Sequence, residues 1–240
     1  MNYSPIEEVA LTQKLVRIES TNPGAFEYKV SDFVYDFLAQ TGADVLRHEV
    51  KDGRCNIVAT LKGEQSCPRL VYICHQDTVP LGDGWHHDPL AAEIVDGRMY
   101  GRGTSDMKGA LSAMLAAALY YAEDADYDFP GDIYVAGVVH EECFEGVAAR
   151  EISTYVKPDY VIIGEASQLN MKIGQRGRAE IVVETFGVPA HSASPHKGVN
   201  AVYKMCKVIE EINKLTPPHH DVLCAWPVWS RWRCPCAAAP

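Results

Sequence analysis

LVYICHQDTVP (residues 70–80) and GRMYGRGTSDMKGALSAMLAAALYYA (residues 97–122) decide how this chain is read. The first opens as a short apolar run, 70–74, rich in β-branched and aromatic residues. That is the pattern of a strand buried on both faces. It stops at His75-Gln76-Asp77. The second carries a glycine-rich loop that delivers Asp106 to the start of a long apolar helix. An imidazole and a carboxylate, each at the mouth of an element, are components of a hydrolytic metal site.

Residues 133–139 and 160–163 repeat the short apolar pattern, and helices are expected over 108–121 and 146–155. Strand, helix, strand, helix, strand predicts an α/β fold: a mostly parallel sheet with helices on both faces. Upstream, residues 5–18 and 28–40 have apolar residues at helical spacing, among them Val30, Val34, Phe37 and Leu38. Residues 45–50 and 56–61 read as a hairpin turning at Lys51-Asp52-Gly53-Arg54. Beyond Gln175 the texture changes. Residues 179–186 alternate like a half-exposed strand, and 201–215 read as a helix.

In open α/β sheets ligands bind beyond the carboxyl ends of the strands. Three such ends here carry chemistry: His75 and Asp77, then His140-Glu141-Glu142, then Glu165. Each residue has a plain alternative. Asp77 sits in a turn, Asp106 is a good helix cap, and the Glu141-Glu142 pair suits a helix N-terminus. Glu165 starts a turn. On a regular strand Glu141 and Glu142 would point apart, so both reach one site only from a turn. In the functional reading Asp77 orients the His75 ring. Asp106 bridges two metals above the small residues Gly109, Ala110, Ser112 and Ala113. One of the two glutamates binds metal while the other takes a proton from water. Carboxylates about 4 Å apart repel by roughly 4 kcal/mol at an effective dielectric near 20, so their convergence requires cations or raised pKa values. One histidine with several carboxylates suits zinc, cobalt or manganese.

Composition narrows the classes. At 240 residues and 47% hydrophobic, the chain can bury one or two cores. No apolar run reaches the ~18 residues of a membrane span. The N-terminus lacks a basic segment followed by an apolar one, so a cytoplasmic location is expected. A net charge of −10 argues against nucleic acid or anionic membrane as partner. The cysteines at 55, 67, 74, 143 and 206 show neither disulfide-framework nor zinc-ribbon spacing. GRGTSD is a poor phosphate loop, because the Lys-Ser/Thr ending is absent.

HQDTVP, GRGTSDMKGALSAM, HEECFEG and IIGEAS, in this order, resemble the zinc metallopeptidase family of acetylornithine deacetylase, succinyl-diaminopimelate desuccinylase, aminoacylase and glutamate carboxypeptidase. The resemblance runs from about residue 5 to about residue 215. It implies a zinc-exopeptidase-like fold binding two Zn2+, with Co2+ or Mn2+ as alternatives. It implies His75 and Glu165 on one ion, Glu142 on the other, and Asp106 bridging them, with a cis peptide just after it. Asp77 would orient His75, and Glu141 would be the general base and then the acid. The implied reaction is amide hydrolysis of a small N-acyl amino acid or short peptide. GVPAHSASPHKGVNA matches the signature of an inserted α+β lid and dimerisation domain. That domain would make the protein a homodimer and let His191 stabilise the oxyanion in the partner's site. Arg178 and Asn200 are implied substrate-carboxylate contacts.

The implied organisation is a catalytic metal-binding domain over 1–175, a partial lid over 176–223 and an aberrant tail over 224–240. The family pattern needs one more histidine, from a catalytic segment beyond the lid, and the sequence stops before it. His219 and His220 are poor substitutes in a Pro-rich turn. The chain is therefore expected to be a truncated, impaired member. A non-catalytic binding or dimerisation module is the competing expectation.

Overall fold

The computed structural model of the chain describes residues 5–123, 128–143, 146–174 and 180–216. They fall into two compact units, one running to Leu169 and the other starting at Asn170. The expected boundaries at 175 and 223, and the tail from 224, lie outside the described residues.

The first unit opens with helices α1 (Pro5–Arg17) and α2 (Tyr28–Ala39). A hairpin follows, β1 (Asp44–Lys51) and β2 (Arg54–Leu61), with Lys51 paired to Arg54. Its turn residues Asp52 and Gly53 both have positive φ, 51° and 74°, which the Asp-Gly pair tolerates. Then come β3 (Arg69–His75), a small hairpin β4 (Glu93–Val95) and β5 (Arg98–Tyr100), and α3 (Gly109–Glu123). The unit closes with β6 (Asp132–Val138), α4 (Val147–Val156) and β7 (Tyr160–Ile163).

The main sheet has the order β1-β2-β6-β3-β7. β3 lies between β6 and β7 and runs parallel to both. β2 pairs antiparallel with β1 and with β6. The fold is α/β, and the sheet is mixed: parallel pairing is confined to the three strands that carry the chemistry. Because β3, β6 and β7 point the same way, their carboxyl ends share one edge.

Alternate residues of each strand feed two cores. Ile57, Ala59, Cys74 and Val135 face the buried sides of α1, α2 and α3, including Leu15, Val34 and Leu111. Val58, Val71, Ile73 and Ala136 face Ile152 and Val156 of α4. Each fully buried aliphatic side chain contributes about 1.5–3 kcal/mol, so both layers hold the sheet flat against its helices. Tyr160 to Ile163 of β7 are exposed throughout, and no strand among the described residues pairs with that edge of the sheet. None of the described helices is long and apolar enough to cross a membrane.

In the second unit, α5 (Ala201–Asn213) matches the expected helix. The expected strand over 179–186 does not form in its described part, 180–186. Only an isolated antiparallel bridge joins Val188 to Val199. A strand exists by pairing, and the alternating residues of 180–186 find no partner strand among the described residues. Ile181, Val182 and Phe186 are exposed as a result.

Candidate metal centre

Each of the three parallel strands ends by handing side chains to one place. His75 is the last residue of β3 and is buried. Its Nδ1–H donates to the main-chain carbonyl of Asp77 at 2.8 Å, and the Asp77 carboxylate lies 3.7 Å from the same nitrogen. The ring is therefore oriented chiefly by the backbone of Asp77. The Asp77 carboxylate accepts from Asn22 Nδ2 at 2.7 Å and from the main-chain N–H groups of Glu141 and Glu142 at 3.2 and 3.1 Å. This leaves His75 Nε2 turned toward the neighbouring acidic side chains.

Two acidic groups reach that nitrogen. Asp106 Oδ1 lies 2.9 Å from it and Glu165 Oε2 3.7 Å. Asp106 sits in a wide helical turn, Thr104–Lys108, where it and Met107 have non-helical dihedrals. The peptide bond between them is cis, as the resemblance implies. The turn is held from below. Lys108 is buried, and its Nζ donates to the carbonyls of Leu15 and Ile18 at 3.1 and 2.7 Å, satisfying the open C-terminal end of α1. Gly103 enters the turn at φ 85°, where a Cβ would meet Thr78 Cγ2 at 2.7 Å. Of the four small residues expected beneath the site, Ser112 is buried, with its hydroxyl 2.5 Å from that of Thr12, whereas Ala113 faces solvent. Ala110 meets Gly164, the residue before Glu165, where a Cβ would come within 2.8 Å of the Ala110 methyl and 2.9 Å of Cys74 Sγ.

Ligand atoms of His75, Asp106 and Glu165 lie within 4.8 Å of one another, and so do those of His75, Glu141 and Glu142. Both glutamates reach the same side because the chain turns at His140, which has φ 65°. The remaining candidates belong to the second unit or fall outside the described residues. His191, with Nδ1 accepting from Ala193 N–H at 3.1 Å, belongs to the second unit. So does Asn200, which caps α5 by accepting from the N–H groups of Val202 and Tyr203. Arg178, His219 and His220 are outside the described residues.

Proton affinities reflect the crowding. Burial, with the charges of Glu142, Asp77 and Glu165, pushes the Glu141 carboxyl up to about 7 against the pull of His75. Burial, with the charge of Asp106, also raises Glu142 and Glu165. The His75 hydrogen bond holds Asp106 below its usual range. Burial alone would lower His75, but the hydrogen bond to Asp106 and the surrounding carboxylates raise it to about 9. In the metal-free protein the His75 imidazolium thus lies among five carboxyl groups, those of Asp77, Asp106, Glu141, Glu142 and Glu165. A donor set of one buried imidazole and several partly exposed carboxylates, with excess negative charge, fits a divalent cation, and it carries none of the cysteines of a structural zinc site.

Fold and site together define an α/β protein with a candidate metal centre at the carboxyl ends of parallel strands. Residues 71–223 match the model of peptidase family M20/M25/M40, and the chain belongs to that family. It is 30% identical over 216 residues to a succinyl-diaminopimelate desuccinylase of Rickettsia prowazekii, covering 83% of this chain and 55% of that protein. A second desuccinylase, of Rhizorhabdus wittichii, is 30% identical over 234 residues, with 92% and 59% covered. The chain thus spans a little over half the length of these relatives. Among solved structures, the fold matches an M20 family metallo-carboxypeptidase of Sulfolobus solfataricus at a TM-score of 0.60 and 20% identity, covering 85% of this chain and 49% of that one. It also matches a tripeptidase of Staphylococcus aureus at 0.58 and 22%, with 86% and 56% covered.

Sequence reasoning overlooked Asn22, whose side chain holds Asp77, and Glu27, Arg54 and Asn56, which hold the segment after β6. Asn22 and Glu27 lie between α1 and α2 and the other two in the opening residues of β2, where polar residues give no periodic signal.

Proposed function

We propose that this chain carries the metal-binding part of a hydrolase that cleaves the amide bond of a small N-acyl amino acid or short peptide. The observation that carries the reading is the sharing of His75 by two carboxylate clusters at the ends of three parallel strands. In this reading His75 and Glu165 hold one Zn2+, Glu142 helps hold a second, and Asp106 serves both; Co2+ or Mn2+ would suit the same donors. When bound, the cations supply Lewis acidity, acidifying water and polarising the amide carbonyl.

The chain's own groups do the rest. Glu141, with its carboxyl near 7 in the metal-free protein, takes a proton from water and returns it to the leaving amine. Asp77 fixes the His75 ring and, through its carboxylate, the backbone of both glutamates. His191 stabilises the developing oxyanion in the active site of the partner subunit, and Arg178 and Asn200 bind the substrate carboxylate. The second unit, from Asn170, serves as lid and homodimer contact. The five cysteines among the described residues, at 55, 67, 74, 143 and 206, are unbridged, which supports a cytoplasmic setting.

The competing reading is a non-catalytic binding or dimerisation module. Incubating the protein with Zn2+ and a panel of N-succinyl and N-acetyl amino acids separates the two. Turnover that falls about 100- to 10,000-fold in Glu141→Gln, with bound metal retained, supports the hydrolase. Zinc binding without turnover of any of these substrates or of dipeptides supports the module.

A further inference from the structure

Four consecutive main-chain N–H groups leave the end of β6, and each finds a side-chain oxygen from another part of the chain. Val139 donates to Asn56 Oδ1 at 3.1 Å and His140 to Glu27 Oε1 at 2.7 Å. Glu141 and Glu142 donate to the two oxygens of Asp77. A strand end normally passes such donors to a neighbouring strand or to water. Here they are taken by groups fixed elsewhere in the first unit, and the path of the segment follows those acceptors.

Glu27 is the least expected of them. It precedes α2 at the capping position, yet its side chain makes no cap hydrogen bond. It turns inward and is fully buried. Arg54 at the start of β2 grips it with two hydrogen bonds, Nε to Oε2 at 2.6 Å and Nη2 to Oε1 at 2.5 Å. The guanidinium also lies over the Phe26 ring, 4.7 Å from its centroid. A buried ion pair of this kind is often replaceable by apolar residues of similar volume with no loss of stability. Stability alone therefore does not account for it. What an apolar pair cannot supply is an acceptor for the His140 N–H at the residue where the chain turns, with φ 65°.

We propose that Glu27, neutralised by Arg54, is a positioning residue: it holds the backbone turn at His140 that brings Glu141 and Glu142 to the same side as His75. The proposal rests on the metal-centre reading above. Its logic is that of the outer hydrogen bonds that aim metal ligands, whose removal typically costs about 10- to 100-fold in metal affinity.

Two double variants of the whole chain test it. Glu27→Met with Arg54→Met removes both charges and the acceptor. Glu27→Gln with Arg54→Met is nearly isosteric but keeps an amide oxygen for the His140 N–H. Co2+ binding is followed by visible absorption, unfolding by urea, and amide exchange by mass spectrometry over residues 139–142. The expected result is that both variants unfold near the wild-type urea concentration. The Met/Met protein then binds Co2+ about 10- to 100-fold more weakly and exchanges faster over 139–142, while the Gln/Met protein stays near wild type in both. Three outcomes overturn the proposal: wild-type Co2+ binding and exchange in Met/Met, equal losses in both variants, or loss of the fold in Met/Met, which would make Glu27 structural. If the wild type binds no Co2+, the metal reading fails, and the exchange comparison still decides whether Glu27 holds the turn.

Discussion

His75 and Glu141 set how the first unit responds to pH before any cation arrives. The Glu141 carboxyl is raised from 4.5 to about 7, chiefly by burial. His75 is raised from 6.5 to about 9; burial lowers it, but hydrogen bonding to Asp106 and nearby carboxylates outweigh that. Both folded values lie above the unfolded ones, so between the two the folded state binds more protons and stability falls as pH rises. The Glu141 penalty is absent below 4.5 and complete above about 7. The His75 gain is complete below 6.5 and lost above about 9. The melting temperature of chelator-treated protein should therefore fall steadily from about pH 5 to pH 9. Glu141→Gln should flatten the lower part of that fall. Cation binding must displace the same protons, so affinity should rise with pH over this range, with protons released on binding in calorimetry. A flat melting profile would contradict the crowding described at the site.

At the scale of elements, the turn that presents Asp106 depends on Lys108, whose ammonium closes the end of α1. Lys108→Met should cost about 1–3 kcal/mol in urea unfolding, because the Leu15 and Ile18 carbonyls lose their donor. Gly164→Val should disturb the site more than the fold. The added side chain would strike Ala110 and Cys74 and push Glu165 away from His75; weakened Co2+ binding with a modest change in urea midpoint is the expected pattern. The elements that hold these residues are largely legible in the sequence. The runs at 70–74, 133–139 and 160–163 mark strands by their unbroken apolar character, and HQD, HEE and GE mark their ends. Other features are less so. Asp96-Gly97 turns the β4–β5 hairpin with positive φ at both residues, a signal passed over because the flanking strands are only three residues long. The alternation over 179–186 suggests a strand, but alternation specifies a face and cannot supply a pairing partner. The Glu27–Arg54 pair joins residues 27 positions apart through a contact that only the tertiary fold creates.

At the scale of the whole chain, the edge strand β7 leaves apolar surface open. All four of its residues are exposed, and its outer edge pairs with no strand among the described residues. An apolar edge of this kind is a template for self-association. Sedimentation velocity should show concentration-dependent association of the purified chain, reduced by Ile162→Lys; a monodisperse monomer unaffected by the change would contradict this. The same scale sets the meaning of the central site. The metal reading needs His75, Asp106, Glu142 and Glu165, from three strand ends and one turn, to act as a single donor set, with Asp77 and Glu141 supporting it. Zinc per chain after equilibrium dialysis, measured by elemental analysis for the wild type and for His75→Ala, tests that most directly. The account predicts at least one tightly held zinc in the wild type and almost none in the variant, because His75 belongs to both clusters. A wild-type chain that holds no more zinc than His75→Ala would contradict it.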